Sequence, residues 1–286
     1  MHIPIPEVAN RFGSIENALL SVIRYSNVII EKAKIVCPRT LINDVPSYAL
    51  EFCRKTLIQA TTLVKVANEQ EDYNTVCSLV RILADNVSIL RLIYRAEDVE
   101  EKILRHLLYV MDGVSLRYKY LKDYPKAYDG KIPKDTYDEL CNQIHAAKDN
   151  ACKCIDFCTN AIKACPGYSD KQQSYDKLIK YHNWKYKTID KPRHEDAYSW
   201  KELYEKLDIT DAGYMFSYFS QYVHGLCISN IVLDDKDDFE TALTFAFSLV
   251  GWIFNFLREE YKPYIEKYTW GDIYKMKPDL FFDNGK

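Results

Sequence analysis

Apolar side chains recur every three to four positions along most of this chain, the period of a helix that buries one stripe and wets the other. That spacing predicts a first helix from Ser14 to Val36, stopped at Cys37-Pro38 because proline disfavours helical geometry in the residue before it. Asp44 reads as an N-cap, with Pro46 in the first turn, and opens a helix to about Asn68. A third helix is expected from about Tyr73 to Tyr94, and a fourth from about Asp98 to Lys122, ending before Tyr124-Pro125. Pro133 opens a fifth, which continues to about Ala164 and closes at Cys165-Pro166-Gly167. Five long helices joined by short connections predict antiparallel neighbours.

Between residues 169 and 196 the helical period weakens and the composition turns basic and aromatic, as in a projecting loop region or a substrate-facing surface. Ser199-Trp200-Lys201-Glu202 then fits a capping box, so helix resumes there. Thr210-Asp211 opens the next helix, and after the acidic turn Asp234 to Asp238 a last long helix runs to about Tyr261 and stops at Pro263. With no solenoid repeat and no low-complexity linker, the expectation is one all-α domain over 1–286. It would be a compact multi-helix bundle with core 14–262, the basic aromatic insertion at 169–196, and a C-terminal tail at 263–286.

Composition agrees with a helical core: 286 residues are 48% hydrophobic, and only 9 glycines and 10 prolines interrupt them. A net charge of -3 argues against a general polyanion-binding surface, so any contact with nucleic acid has to be regional. Nine cysteines, an odd number scattered through helices, and no secretory-signal pattern over Met1 to Arg11 predict a reducing, cytoplasmic setting. Thr241 to Leu257 is apolar apart from Thr244, Ser248 and Asn255, yet acidic residues precede it and Arg258-Glu259-Glu260 follow. It reads as a buried central helix, and no membrane partner is expected.

Candidate chemistry concentrates in two helices. Near the C-terminal end, Ser217, Ser220, Gln221 and His224 share one helical stripe, with Tyr218 and Tyr222 beside it and Gly225 suited to a helix end. An imidazole there titrates near neutral pH, as general acid–base work requires, and the neighbouring hydroxyls suit holding its tautomer. The alternative is a histidine that caps a helix or bonds a neighbouring one. In the first third, Arg81 and Asp85 stand four residues apart among aliphatic residues. They read either as a structural ion pair or as a phosphate-matching guanidinium with its carboxylate. Together, Arg81 and His224 would give charge stabilisation and proton transfer.

These blocks carry a resemblance. The Arg81-x-Leu83-x-Asp85 helix, the Tyr218-x-Ser220-x-Tyr222-Val223-His224-Gly225 helix and the long apolar helix after it resemble a prokaryotic all-helical family of unknown function. The likeness covers about Leu50 to Tyr261. It implies a helical fold and a pocket at Arg81, Asp85, Tyr218, Ser220 and His224, with aspartate where glutamate is usual. A weaker similarity is to the HEPN-like ribonucleases of prokaryotic toxin and defence systems, which implies metal-independent RNA cleavage by a histidine and an arginine. The chain departs from that pattern, because Ser217, Tyr218 and Phe219 stand where the arginine of the same helix belongs.

Within the basic aromatic segment, Lys180, Trp184, Lys185, Lys187 and Arg193 are the candidates for RNA contact, by phosphate pairing and base stacking. The other reading of the segment is a solvated loop whose aromatics anchor it to the bundle. No metal site and no cofactor are expected. Cys141, His145 and Cys152 share a stripe, as do Cys154, Cys158 and Cys165, but neither has the Cys-x-x-Cys knuckles of structural zinc, and small buried thiols are the better reading. Asp234 to Asp238 lacks the glycine and spaced ligands of a calcium loop, and no phosphate-cradling glycine loop is present. Two functions therefore stand side by side: an RNA-directed, metal-independent hydrolase or defence-type effector, and a non-catalytic helical interaction or scaffold protein whose polar cluster is structural. RNA, a protein partner or a second copy of the chain are the partners these imply.

Overall fold

Side-chain caps set the helix starts in the computed structural model, which describes residues 11–37, 42–69, 72–224 and 236–266. Helix α1 (Ile15–Val36) begins where the Ser14 hydroxyl accepts the Asn17 N–H, at 3.2 Å. Asp44 accepts from the Ser47 N–H at the head of α2 (Val45–Glu69), and Asp72 from the Thr75 N–H at the head of α3 (Tyr73–Tyr94). Asp98 does the same for Glu100 at the head of α4 (Val99–Leu121), and α5 (Lys134–Lys163) starts after Pro133. After α6 (Gln172–Tyr181) and a loop, Ser199 and Glu202 form the reciprocal capping box of α7 (Trp200–Glu205). Then follow α8 (Ala212–Val223), α9 (Lys236–Glu260) and α10 (Lys262–Ile265). The molecule is all-α: among the described residues the sole β feature is an isolated antiparallel bridge between Tyr186 and Ala197.

The chain divides into two compact units, one from Met1–Arg95 with Ser199–Lys286, the other Ala96–Tyr198. In the first, α9 lies against α1, α2 and α3, while α3 also packs on α2, α7 and α8. The face that α9 buries follows the helical period: Ala242, Leu243, Ala246, Leu249, Val250, Ile253, Phe256 and Leu257. Leu19 and Ile30 of α1, Leu57 of α2 and Leu83 and Leu90 of α3, the helices α9 packs on, are likewise fully buried. Each such side chain contributes about 1.5–3 kcal/mol on burial. Among the described residues, α9 is the one helix long and apolar enough to cross a membrane.

The second unit pairs α4 with α5, and α5 with α6. Helix α6 lies within residues 169–196, where the helical period weakens and a projecting loop region or a substrate-facing surface is expected. It is ten residues long and rests on Tyr175 and Leu178, three positions apart, and His182 ends it in the left-handed conformation at φ 48°. Two buried anchors make too short a stripe to stand out among lysines and tyrosines. Pro263 brings a correction: α9 ends at Glu260, but the proline sits in the first turn of α10, where its fixed φ suits a helix start. The acidic turn brings another, since Lys236, Asp237 and Asp238 already belong to α9, whereas Asp234 and Asp235 lie outside the described residues.

Candidate functional site

In the first unit, Arg81 sits on the face of α3 that meets α7. Its guanidinium pairs with Asp85 one turn on and lies 4.8 Å from the ring centroid of Tyr204 and 5.7 Å from that of Trp200. The Tyr204 hydroxyl donates to Asp85 Oδ1 at 2.7 Å, and its ring meets Phe216 of α8 edge-on at 5.4 Å. Arg81 is 12% exposed and Tyr204 1%. Burial pushes the Tyr204 phenol well above its ordinary range, and the bond to Asp85 adds to the shift. The carboxylate therefore joins two helices. One oxygen serves both a cation and a phenol, and the aromatic pair lies against the cation.

His224 lies elsewhere. It is the exposed C-cap of α8, where its N–H meets the Ser220 carbonyl at 3.3 Å. The preceding turn packs on the start of α3, with Tyr222 edge-on to Tyr73 at 5.4 Å. Arg81 is eight residues further along α3, about 12 Å at 1.5 Å per residue. Of the expected site, Arg81 and Asp85 are brought together, and Tyr218 bonds Tyr222 through their hydroxyls at 2.6 Å. Ser217 spends its hydroxyl on the Gly213 carbonyl at 2.6 Å, and Ser220 is half-buried on the same helix. Gly225 lies outside the described residues. The structure does not bring His224 to the Arg81–Asp85 pair.

The second unit holds a comparable arrangement that the sequence reading passed over. Arg105 of α4, 3% exposed, takes Glu101 Oε1 through Nε at 2.8 Å and Nη2 at 2.6 Å, and gives Nη1 to the Trp184 carbonyl at 2.9 Å. Its guanidinium lies 3.9 Å from the Tyr186 ring centroid. Beside it, Glu100 Oε1 accepts from the Gly167 N–H at 2.8 Å and the Tyr175 hydroxyl at 3.1 Å. A methyl group on Gly167 would stand 2.8 Å from that carboxylate oxygen and 2.9 Å from the phenol oxygen, so this close approach requires glycine. The signal for this site was present: Glu101 and Arg105 have the same four-residue spacing as Arg81 and Asp85.

Among the expected nucleic-acid residues, Lys180, Lys187 and Arg193 are exposed and Lys185 is half-buried. Trp184 differs from expectation. It is 6% exposed, donates Nε1–H to Asp112 at 3.1 Å and meets Tyr109 edge-on at 5.3 Å, so its faces are turned into the unit rather than offered to a base. Near it, Ser115 Oγ lies 3.5 Å from His182 Nε2, and burial holds the His182 imidazole below its ordinary pKa. Ser115 sits inside α4, where the backbone N–H groups are spent on the helix and are not free to act as oxyanion donors.

The thiols divide. Cys37, Cys53, Cys77 and Cys158 are buried, and burial pushes Cys158 up to about 12, far from a reactive thiolate. Cys152 is exposed, a departure from the buried-thiol reading, and Cys227 lies outside the described residues. No protein-family model matches the chain, and no curated protein or solved structure shows significant similarity to it.

Proposed function

We propose that this chain is a helical interaction protein whose Arg81–Asp85 pair fixes the packing of α3, α7 and α8. The carrying observation is the surroundings of Arg81: a carboxylate on one side, the Trp200 and Tyr204 rings on the other, and a phenol closing the carboxylate. A guanidinium that works on a phosphate needs its fork open to the ligand. Here it is enclosed by Asp85, Trp200 and Tyr204, with Nε buried and without a hydrogen-bond partner among the described residues, and the imidazole that would share the chemistry stands at the other end of α8.

The test is a pair of variants with two readouts. Arg81→Ala should lower the melting temperature markedly, while His224→Ala should leave it nearly unchanged. Neither change should alter RNA turnover, because the purified wild type is expected to show none above background in chelator. Cleavage of RNA by the wild type that is lost in His224→Ala would instead establish the RNA-directed hydrolase. The support for that second reading is the exposure of His224, Lys180, Lys187 and Arg193.

A further inference from the structure

Between Leu116 and Lys134, where α4 runs out and the chain turns into α5, six cations stand against two carboxylates, in a protein whose net charge is -3. Two of the six are spent: Lys131 pairs with Asp129 at 2.8 Å, and Lys134 with Asp138 at 2.7 Å. Arg117, Lys119, Lys122 and Lys126 are exposed and hold no carboxylate among the described residues, with Asp123 left to oppose them. Lys119 has a structural reason to be there, since it complements the C-terminal end of α4. The other three have none. Tyrosines interleave with these cations, and they face out. Tyr120 is 72% exposed, with no ring or hydrogen-bond contact among the described residues, and Tyr124 and Tyr128 are exposed as well. In the basic segment at 169–196, by contrast, Tyr175, Trp184 and Tyr186 are buried. The loop between α4 and α5 is held in shape: Lys148 donates to the Lys122 and Tyr124 carbonyls, at 3.1 and 2.5 Å, and the Tyr137 hydroxyl to the Lys126 carbonyl at 2.6 Å. Groups on a fixed loop give up less freedom on binding than groups on a loose one.

We propose that this surface binds single-stranded nucleic acid, with phosphates on Arg117, Lys122 and Lys126 and a base stacked on Tyr120. Single strands are held by cations that follow the backbone together with aromatic faces open to the bases, and this stretch carries both. An acidic peptide would use the cations and leave the rings idle. A duplex keeps its bases stacked on one another, so it too has no use for Tyr120. An anionic bilayer would want a run of large aliphatic side chains to bury below its headgroups, and the stretch exposes two, Leu116 and Ile132. The surface lies in the second unit, so the proposal does not rest on the packing role given to Arg81, and it concerns binding rather than cleavage. The strand chemistry has two sources, RNA and single-stranded DNA.

Fluorescence anisotropy of the whole protein at low salt tests it, with labelled oligouridylate, oligodeoxyuridylate and a hairpin duplex, each of about twelve nucleotides per strand. Equal binding of the two single strands assigns the surface to strands of either sugar; preference for one assigns it to that sugar. Tyr120→Ala should weaken binding roughly tenfold, the loss of one base–ring stack, while Tyr120→Phe, which keeps the ring, should bind like the wild type. Arg117→Gln with Lys122→Gln should lower the slope of log Kd against log salt by about 1.4, as two phosphate contacts on a single strand require. Lys180→Gln with Lys187→Gln, in the other basic segment, should leave affinity and slope as they are. All five positions are exposed, so the melting temperature should stay at the wild-type value. The proposal is overturned if neither single strand binds, if the duplex binds equally well, or if the Tyr120→Ala and Arg117–Lys122 variants bind like the wild type. Uptake by vesicles of phosphatidylserine and phosphatidylcholine, with no binding of the strands, overturns it in favour of a membrane surface.

Discussion

Arg81 and Arg105 meet the same need, burial of a permanent cation, with the same parts: a carboxylate one turn away and an aromatic ring across the guanidinium. Removing Arg81 leaves the part-buried Asp85 carboxylate without its cation. Arg81→Ala should cost about 2–4 kcal/mol, below the usual upper range because Asp85 keeps some contact with water. Tyr204→Phe, which deletes only the bond to Asp85, should cost about 1 kcal/mol. His224→Ala should fall within about 0.5 kcal/mol, as expected for an exposed side chain. Urea midpoints of the three variants check the order. The Arg81–Asp85 pair was legible in the sequence because both partners lie on one helix. Tyr204 was not, since it stands 119 positions from Asp85 and no local pattern links them.

Helix starts were the most legible elements, because the groups that cap them are local in sequence. Ser14, Asp44, Asp98 and Ser199 each bond a backbone N–H within a few residues, and each was readable as a cap or first residue. Helix α6 was hidden by its length, and Trp184 by its composition, since aromatics among lysines read alike whether they face water or a core. Glycines distinguish the elements further. Gly113 in α4 and Gly251 in α9 have nothing within 4 Å of an added methyl, so Gly113→Ala and Gly251→Ala should each stabilise by about 0.5–1 kcal/mol. Gly167→Ala should destabilise instead, by displacing Glu100 from its two donors. Thermal melts of the three proteins provide the comparison.

For the whole molecule, buried proton donors dominate the pH dependence. Burial pushes Cys53, Cys158, Tyr73, Tyr186, Tyr204, Tyr222 and Tyr261 upward. The unfolded chain releases these protons first, from about pH 8.5 for thiols and about pH 10 for phenols. The native state then binds more protons than the unfolded one, so stability is intact below that range and falls as pH rises through it. Urea midpoints in reductant should drop between pH 8 and pH 10.5. His182 acts in the opposite direction: its lowered native pKa makes the second unit lose stability as pH falls below about 6.5. The two units can be followed separately by fluorescence, with Trp184 or Trp200 kept as the one tryptophan. Arg81→Ala should lower the midpoint read by Trp200, and Glu101→Gln the midpoint read by Trp184.

The discontinuous chain path of the first unit bears on its synthesis. Residues 96–198 separate α3 from α7, and α9 comes later still. At roughly 5–20 residues per second, the apolar faces of α1, α2 and α3 wait on the order of ten seconds for α9 to leave the ribosome. The intervening unit draws on contacts nearer in sequence and can close first. Nascent chains halted before Lys236 should accordingly hold a formed second unit beside three helices that still need a chaperone.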